Sequence, residues 1–330
     1  MSLENSKLFQ AFALTPDFNL RNRVVMAPMT TWSGNSDGTV SEQELQYMRR
    51  RVKGVGMVIT GCTHVQENGI GFTHEFAGYD DKFIPSLSAL AQAAKSGGAP
   101  AVLQIFHAGN KAIPELIPNG DVVSASHLNT PTVAFHDSPV QSRALSEAEI
   151  SDVIRAFGET TRRAIEAGFD GVELHGAHGF LIQNFFSPHY NQRQDDWGGS
   201  LTHRMRFPLA VVEEVQSVIR KHAKRPFILG YRISVEEYEE NGLRIADSLQ
   251  LIDRLIASNI DYLHVSLSDI LSSTPRGVSD QRLTILTVLD QVQERVPVIS
   301  AGSVRTPEQA SLALNLGLPL VAIGKGLIIN

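Results

Sequence analysis

Hydrophobic residues along this chain keep two alternating rhythms. Short apolar runs, "RVVMAP", "GMVITG", "PAVLQIFH", "FDGVELH", "PFILGYRIS", "DYLHVSL", "VPVISAG" and "LVAIGKG", each have the length and β-branched content of a strand. Most are apolar over four or five residues with no polar face, as parallel strands covered on both sides should be. Between them lie longer segments with helical spacing. "SEAEISDVIRAFGETTRRAIEAG" opens on a Ser146–Glu149 capping box and stops at Gly168. "RIADSLQLIDRLIASN" and "TPEQASLALNLG" are similar, and Pro307 sits in the first turn of the second.

Eight strands alternating with helices predict an α/β fold, a (β/α)8 TIM barrel forming a single domain over 1–330. An open doubly wound sheet gives the same alternation, but the strand count and the absence of a composition break favour the barrel. One connection is unusual. After "LQIFHAG", about 35 residues pass before the next helix, holding turn residues and short β segments in "VVSASHLNTPTVAFHDSPV". This excursion after strand 3 is expected to lie over the C-terminal mouth. The chain stops at "GKGLIIN", so the C-terminal helix is expected to be truncated.

The 330 residues carry 29 Lys+Arg against 35 Asp+Glu, a net charge of −6. That balance disfavours nucleic-acid and anionic-membrane partners, which need a basic face. No apolar run reaches the ~18 residues that suggest a membrane span. "MSLENSKLFQAFAL" lacks the basic-then-apolar pattern of a signal peptide, so a cytoplasmic location is expected. Cys62 is the only cysteine, which excludes an intramolecular disulfide, a cysteine-rich zinc site and a cysteine-ligated iron–sulfur cluster.

Chemistry in a barrel collects where the strands end. Glycine-rich turns at Gly302-Ser303 and Gly324-Lys325 would present backbone N–H groups to an anion, and Lys325 adds a full charge. Two ordinary turns and a surface lysine would look the same, but the barrel position favours a phosphate. Arg232 closes an apolar strand and is too costly to bury unpaired, so it should face an anion, a polar ligand edge or a glutamate of "SVEEYEENG". Gln104 needs donor and acceptor partners, either from a planar heterocycle or from the core. His175 and His178 have three readings: a metal pair lacking an evident third ligand, structural residues, or a clamp. In a clamp two N–H donors converge on one substrate oxygen and polarise a carbonyl without a metal. The clamp accounts best for a pair.

Several of these segments, with "LQIFHAGNKA", "HGAHGFLIQNFFSPHYNQRQDDWGGSLTHRMRF", "GYRIS" and "AGSVRTPEQA…AIGKG", closely resemble the old yellow enzyme family of FMN-dependent ene-reductases and NADH:flavin oxidoreductases. The resemblance covers essentially the whole chain, and its most specific part is "SPxxNxRxDxWGGSxxxR". It implies FMN bound non-covalently at the barrel's C-terminal mouth, with NAD(P)H as reductant. Gly302, Ser303, Gly324 and Lys325 match the phosphate positions, with Lys325 where an arginine is more usual. Gln104 matches the amide that reads the flavin pyrimidine edge and Arg232 the cation near N1 and O2, with Ser266 grouped beside them. Pro28, Met29 and Thr30 would run along the ring, the Thr30 hydroxyl towards O4 or N5. Cys62 takes a position often held by a small residue and reads as packing, not as a nucleophile.

The implied reaction is ping-pong. NAD(P)H gives a hydride to flavin N5, which then passes to an activated alkene, a quinone or a nitro acceptor. His175 and His178 would bind the acceptor oxygen, and Trp32 would wall its site. Phe180 departs from the pattern: many members carry a tyrosine there that supplies the α-carbon proton. Tyr190 is a candidate substitute. The acceptor is expected to be a small molecule, and the chain could form a homo-oligomer. Competing readings are a metal-dependent barrel hydrolase using His175 and His178, and a flavin-binding barrel without efficient ene-reductase activity because of Phe180. A Schiff-base aldolase is disfavoured because "DYLHVSL" offers no lysine.

Overall fold

The computed structural model describes residues 7–131, 138–279 and 281–329. Each predicted strand forms: β1 Val24–Met26, β2 Met57–Ile59, β3 Ala101–Phe106, β4 Gly171–Gly176, β5 Ile228–Ile233, β6 Tyr262–Ser266, β7 Val298–Ala301 and β8 Leu320–Ile323. All eight pair in parallel in chain order, and β8 returns to β1, closing a (β/α)8 barrel. The helices that follow the first seven strands are α1 Glu42–Arg51, α2 Ile84–Lys95, α3 Glu147–Ala167, α4 Arg206–His222, α5 Ile245–Ala257, α6 Thr284–Val292 and α7 Pro307–Asn315. A short helical turn, Gly326–Ile329, follows β8.

Local signals fix the helix ends. Ser146 and Glu149 form a reciprocal capping box on α3, and Gly168 ends it at a left-handed φ of 90°. Thr306 and Gln309 cap α7 in the same way, with Pro307 at its start. A side-chain N-cap is worth about 1 kcal/mol, enough to decide where a helix begins.

The strands read as unbroken apolar runs because they separate two hydrophobic layers. Outward-facing residues such as Val58, Leu103, Val172, Leu263 and Val321 pack beneath the helices. Inward-facing Val25, Met57, Val102, Ile228, Ile299 and Leu320 fill the N-terminal part of the barrel, where Leu14 and Leu20 of an antiparallel hairpin close it. Further along, the inward row turns polar. Gln104 lies in register with Glu173, and His175 with Arg232 and then His264. A Cβ on Gly230 would overlap the Tyr262 ring, so the bare backbone there makes room for that ring inside the barrel.

The excursion after β3 forms a three-stranded sheet of Val123–Ser124, Leu128–Thr130 and Val140–Ala144. Its residues 132–137 lie outside the described set. Among the described residues, no helix is long and apolar enough to cross a membrane.

Candidate active site

A cavity of about 1010 Å³ opens at the C-terminal ends of the strands. Every catalytic and cofactor-binding residue assigned from sequence lines it except Tyr190, the candidate substitute proton donor. Pro28, Met29, Thr30 and Trp32 come from β1 and its loop, Cys62 from the β2 loop, and Gln104 from β3. His175, His178, Arg232 and Ser266 come from β4 to β6, and Gly302, Ser303, Gly324 and Lys325 from the β7 and β8 turns. Of the long excursion after β3, only Lys111 among the described residues reaches the cavity; its sheet packs along the flank instead. Trp32, His178 and Ser303 hold left-handed φ angles of 50°, 61° and 51°, a strained conformation for side-chain-bearing residues that clusters at functional sites.

The two histidine rings meet edge to face, 5.0 Å between centroids. His175 Nδ1 accepts from the backbone N–H of Ala177 at 3.3 Å, which leaves Nε2–H as its donor. Nε2 of His178 pairs with Ser266 Oγ at 2.8 Å. Arg232 Nη2 donates to the same hydroxyl at 3.3 Å, and a guanidinium can only donate. The Ser266 hydrogen can go to Nε2 of His178, and in that tautomer Nδ1–H is the ring's donor. Burial, reinforced by the neighbouring positive charge of Arg232, holds both imidazoles well below their usual pKa. The pair is thus neutral, with one N–H donor on each ring. Among the described residues no group of three or more His, Cys, Asp or Glu could hold a metal ion, so the metal-pair reading finds no third ligand.

Beneath the histidines lies a buried polar cluster. Gln104 Nε2 donates to Glu173 Oε1 at 2.6 Å, and Cys62 Sγ donates to Gln104 Oε1 at 3.2 Å. Tyr262 Oη and His264 Nδ1 both lie 2.9 Å from Glu173 Oε2. Burial opposes ionisation of Glu173, but His264, Arg232 and Tyr262 outweigh it and lower its pKa. The core uses one donor and one acceptor of Gln104, leaving one of each. Arg232 pairs with none of the glutamates of "SVEEYEENG" among the described residues, and its buried Nε has no partner. Burial works against its charge, and Glu173 offsets that effect.

At the opposite wall, the backbone N–H groups of Gly302, Ser303, Gly324 and Lys325 find no acceptor among the described residues. Arg305 lines the same end of the cavity.

Tyr190, the sequence candidate for proton donor, is placed elsewhere. Its hydroxyl donates to Glu239 Oε1 at 2.9 Å and it does not line the cavity. Sequence reasoning also missed Lys111, Phe72, Glu44, Tyr47 and Arg305, all in the cavity wall. Lys111 stood inside a quoted motif, "LQIFHAGNKA", and that was its only signal. Glu44 and Tyr47 lie three apart on α1, a spacing that puts both on one helix face.

A family model for the NADH:flavin oxidoreductase / NADH oxidase family matches residues 7–330. The chain is 44% identical over 330 residues to the probable NADH-dependent flavin oxidoreductase YqiG of Bacillus subtilis (strain 168), covering 100% of this chain and 87% of that protein. It is 39% identical to the NADH:fumarate oxidoreductase of Klebsiella pneumoniae (strain 342), covering 98% of this chain but only 35% of that longer protein. Among solved structures it resembles morphinone reductase in complex with tetrahydroNAD, with a TM-score of 0.81, 26% identity, and 97% of this chain aligned to 87% of that one. The barrel, the cavity at its mouth and the match along nearly its whole length agree: this chain belongs to the NADH:flavin oxidoreductase / NADH oxidase family.

Proposed function

We propose that the protein is an FMN-dependent NAD(P)H oxidoreductase that passes a hydride to a small acceptor, an activated alkene, a quinone or a nitro compound. The observation that carries this reading is the buried, unpartnered Nε of Arg232 in the wall of the same cavity as two histidine N–H donors and four free backbone N–H groups. Those groups fit FMN. The turns at Gly302-Ser303 and Gly324-Lys325 suit its phosphate, and the remaining donor and acceptor of Gln104 suit a pyrimidine edge. Arg232 suits a ring that gains negative charge on reduction. When bound, FMN supplies hydride transfer between nicotinamide and acceptor.

The protein's own part is binding and polarisation. His175 and His178 direct neutral N–H donors at the acceptor oxygen and stabilise the negative charge that develops there. Thr30 and Trp32 wall the approach, Trp32 from a half-exposed position with its ring edge-on to Phe72 at 6.2 Å. Pro28, Met29 and Cys62 shape the floor, and burial raises the Cys62 thiol well above its usual pKa, which suits packing and not nucleophilic attack. Glu173 fixes the Gln104 amide and balances Arg232. A cytoplasmic location fits a consumer of NAD(P)H.

The purified protein should be yellow, and anaerobic NADH or NADPH should bleach it. A colourless protein that does not take up added FMN would overturn the reading.

A further inference from the structure

Phe180 has no hydroxyl to give a proton, yet a proton carrier stands beside it. Lys111 Nζ lies 5.7 Å from the Phe180 ring centroid and donates to the His178 carbonyl at 2.5 Å. Both residues line the cavity with His175 and His178. A Cβ on Gly179 would sit 2.8 Å from Nζ, so the glycine makes space for the ammonium. Among the described residues, Lys111 makes no ion pair. Glu237, Glu239, His178 and the Tyr190 ring surround it, and the two carboxylates are engaged elsewhere: Glu237 by Gln183 and Ser187, Glu239 by Tyr190.

We propose that Lys111 is the acid of the acceptor half-reaction, delivering from Nζ the α-carbon proton of an α,β-unsaturated carbonyl substrate. The proposal rests on the acceptor reading given above. A hydride originating with NADH adds at the β-carbon and brings two electrons. The alkene π pair moves towards the carbonyl oxygen held by His175 and His178. The α-carbon then takes H⁺ from Nζ–H, the N–H bond breaks, and the neutral amine regains its proton from solvent. Burial lowers the Lys111 pKa, against the pull of Glu239 and Glu237, which makes that release easier than from an exposed lysine.

The experiment uses FMN-loaded enzyme reduced anaerobically with NADH, then reoxidised in parallel by 2-cyclohexenone and by ferricyanide, which needs no carbon-bound proton. Lys111→Met removes the proton. Lys111→Arg keeps the charge and the bond to His178 but cannot release one at accessible pH. In both variants the enone rate should fall at least ~10²-fold relative to the ferricyanide rate, and Phe180→Tyr in the Lys111→Met background should restore it. In ¹³C NMR of the reductively methylated protein, one resonance titrating below ordinary lysine should vanish in Lys111→Met. Equal slowing with both oxidants, or an Arg variant as fast as wild type with the enone, overturns the acid role alone. A wild-type enzyme that NADH bleaches but the enone does not reoxidise overturns the alkene reading, and the role of Lys111 with it.

Discussion

Ser266 Oγ lies 2.8 Å from His178 Nε2, so a hydroxyl on β6 holds the orientation of an imidazole on the β4 loop. Ser266 also accepts from Arg232, and the three groups form one chain across the mouth. In Ser266→Ala the ring can rotate and take either tautomer. A net hydrogen bond is worth about 0.5–1.5 kcal/mol. A phenol, which presents one oxygen to the clamp, should therefore bind the FMN-loaded variant roughly 3- to 10-fold more weakly. Titration followed through the flavin absorbance band reads this directly; an unchanged dissociation constant would mean the ring is held by its own backbone.

Lys325 bears the charge at the glycine-rich end of the cavity. It is exposed and has no ion-pair partner among the described residues, and the four free N–H groups lie in its own turn and the adjacent one. A charge pair near 4 Å is worth between about 1 and 4 kcal/mol as the effective dielectric falls from 80 to 20. Lys325→Gln should weaken FMN binding about tenfold at low salt, a value inside that range. The loss should shrink in molar salt, where the Debye length is about 3 Å. Lys325→Arg should bind like wild type. Recovery of FMN fluorescence on dilution measures all three.

Much of this was legible in the chain. The eight strands carried the hydrophobic runs of a parallel sheet, and Ser146, Gly168 and Pro307 marked helix ends through local chemistry that tertiary structure had no reason to override. The site residues were legible because a barrel gathers its strand ends. Side-chain aim was not. Tyr190 turns to Glu239, 49 residues away, and Glu44 reaches the cavity wall while its Oε2 accepts from Thr31 and Ser33 across the β1 loop. Glu173 in "FDGVELH" read as one polar letter in an apolar strand. Its role depends on Gln104 of β3 and on Tyr262 and His264 of β6, and no local pattern encodes that meeting.

Cys62 should resist thiol reagents. It is buried, donates to Gln104 Oε1, and burial raises its pKa well above the usual thiol value, with Glu75 adding to the effect. The reactive thiolate is therefore scarce at neutral pH. With Ellman's reagent the native protein should release almost no chromophore, and the denatured protein one equivalent, since the chain has one cysteine. Rapid native labelling would show that the cavity floor opens to solvent.

Acid should loosen the excursion before it unfolds the barrel. Arg143 donates to Asp121 at 2.7 and 2.6 Å and to Glu149 at 3.0 and 2.6 Å, tying the excursion sheet to the first turn of α3. Glu149 also accepts from the Ser146 backbone N–H in the capping box. The Arg143 hydrogen bond, against a small opposing effect of burial, lowers the Glu149 pKa from 4.5 to about 2. The folded state thus binds fewer protons at Glu149 than the unfolded chain. The stabilisation is present above pH 4.5 and is lost as pH falls towards 2. Both groups are largely exposed to solvent, so the effect should be local. Hydrogen-exchange protection factors across 121–131 and 138–150 should drop over that window while those of β4 and β5 hold. Arg143→Gln should start with lower protection in that segment at neutral pH and lose less on acidification, because the proton-linked contact is already gone. Equal pH dependence in the two proteins would place the acid-sensitive contact elsewhere in the excursion.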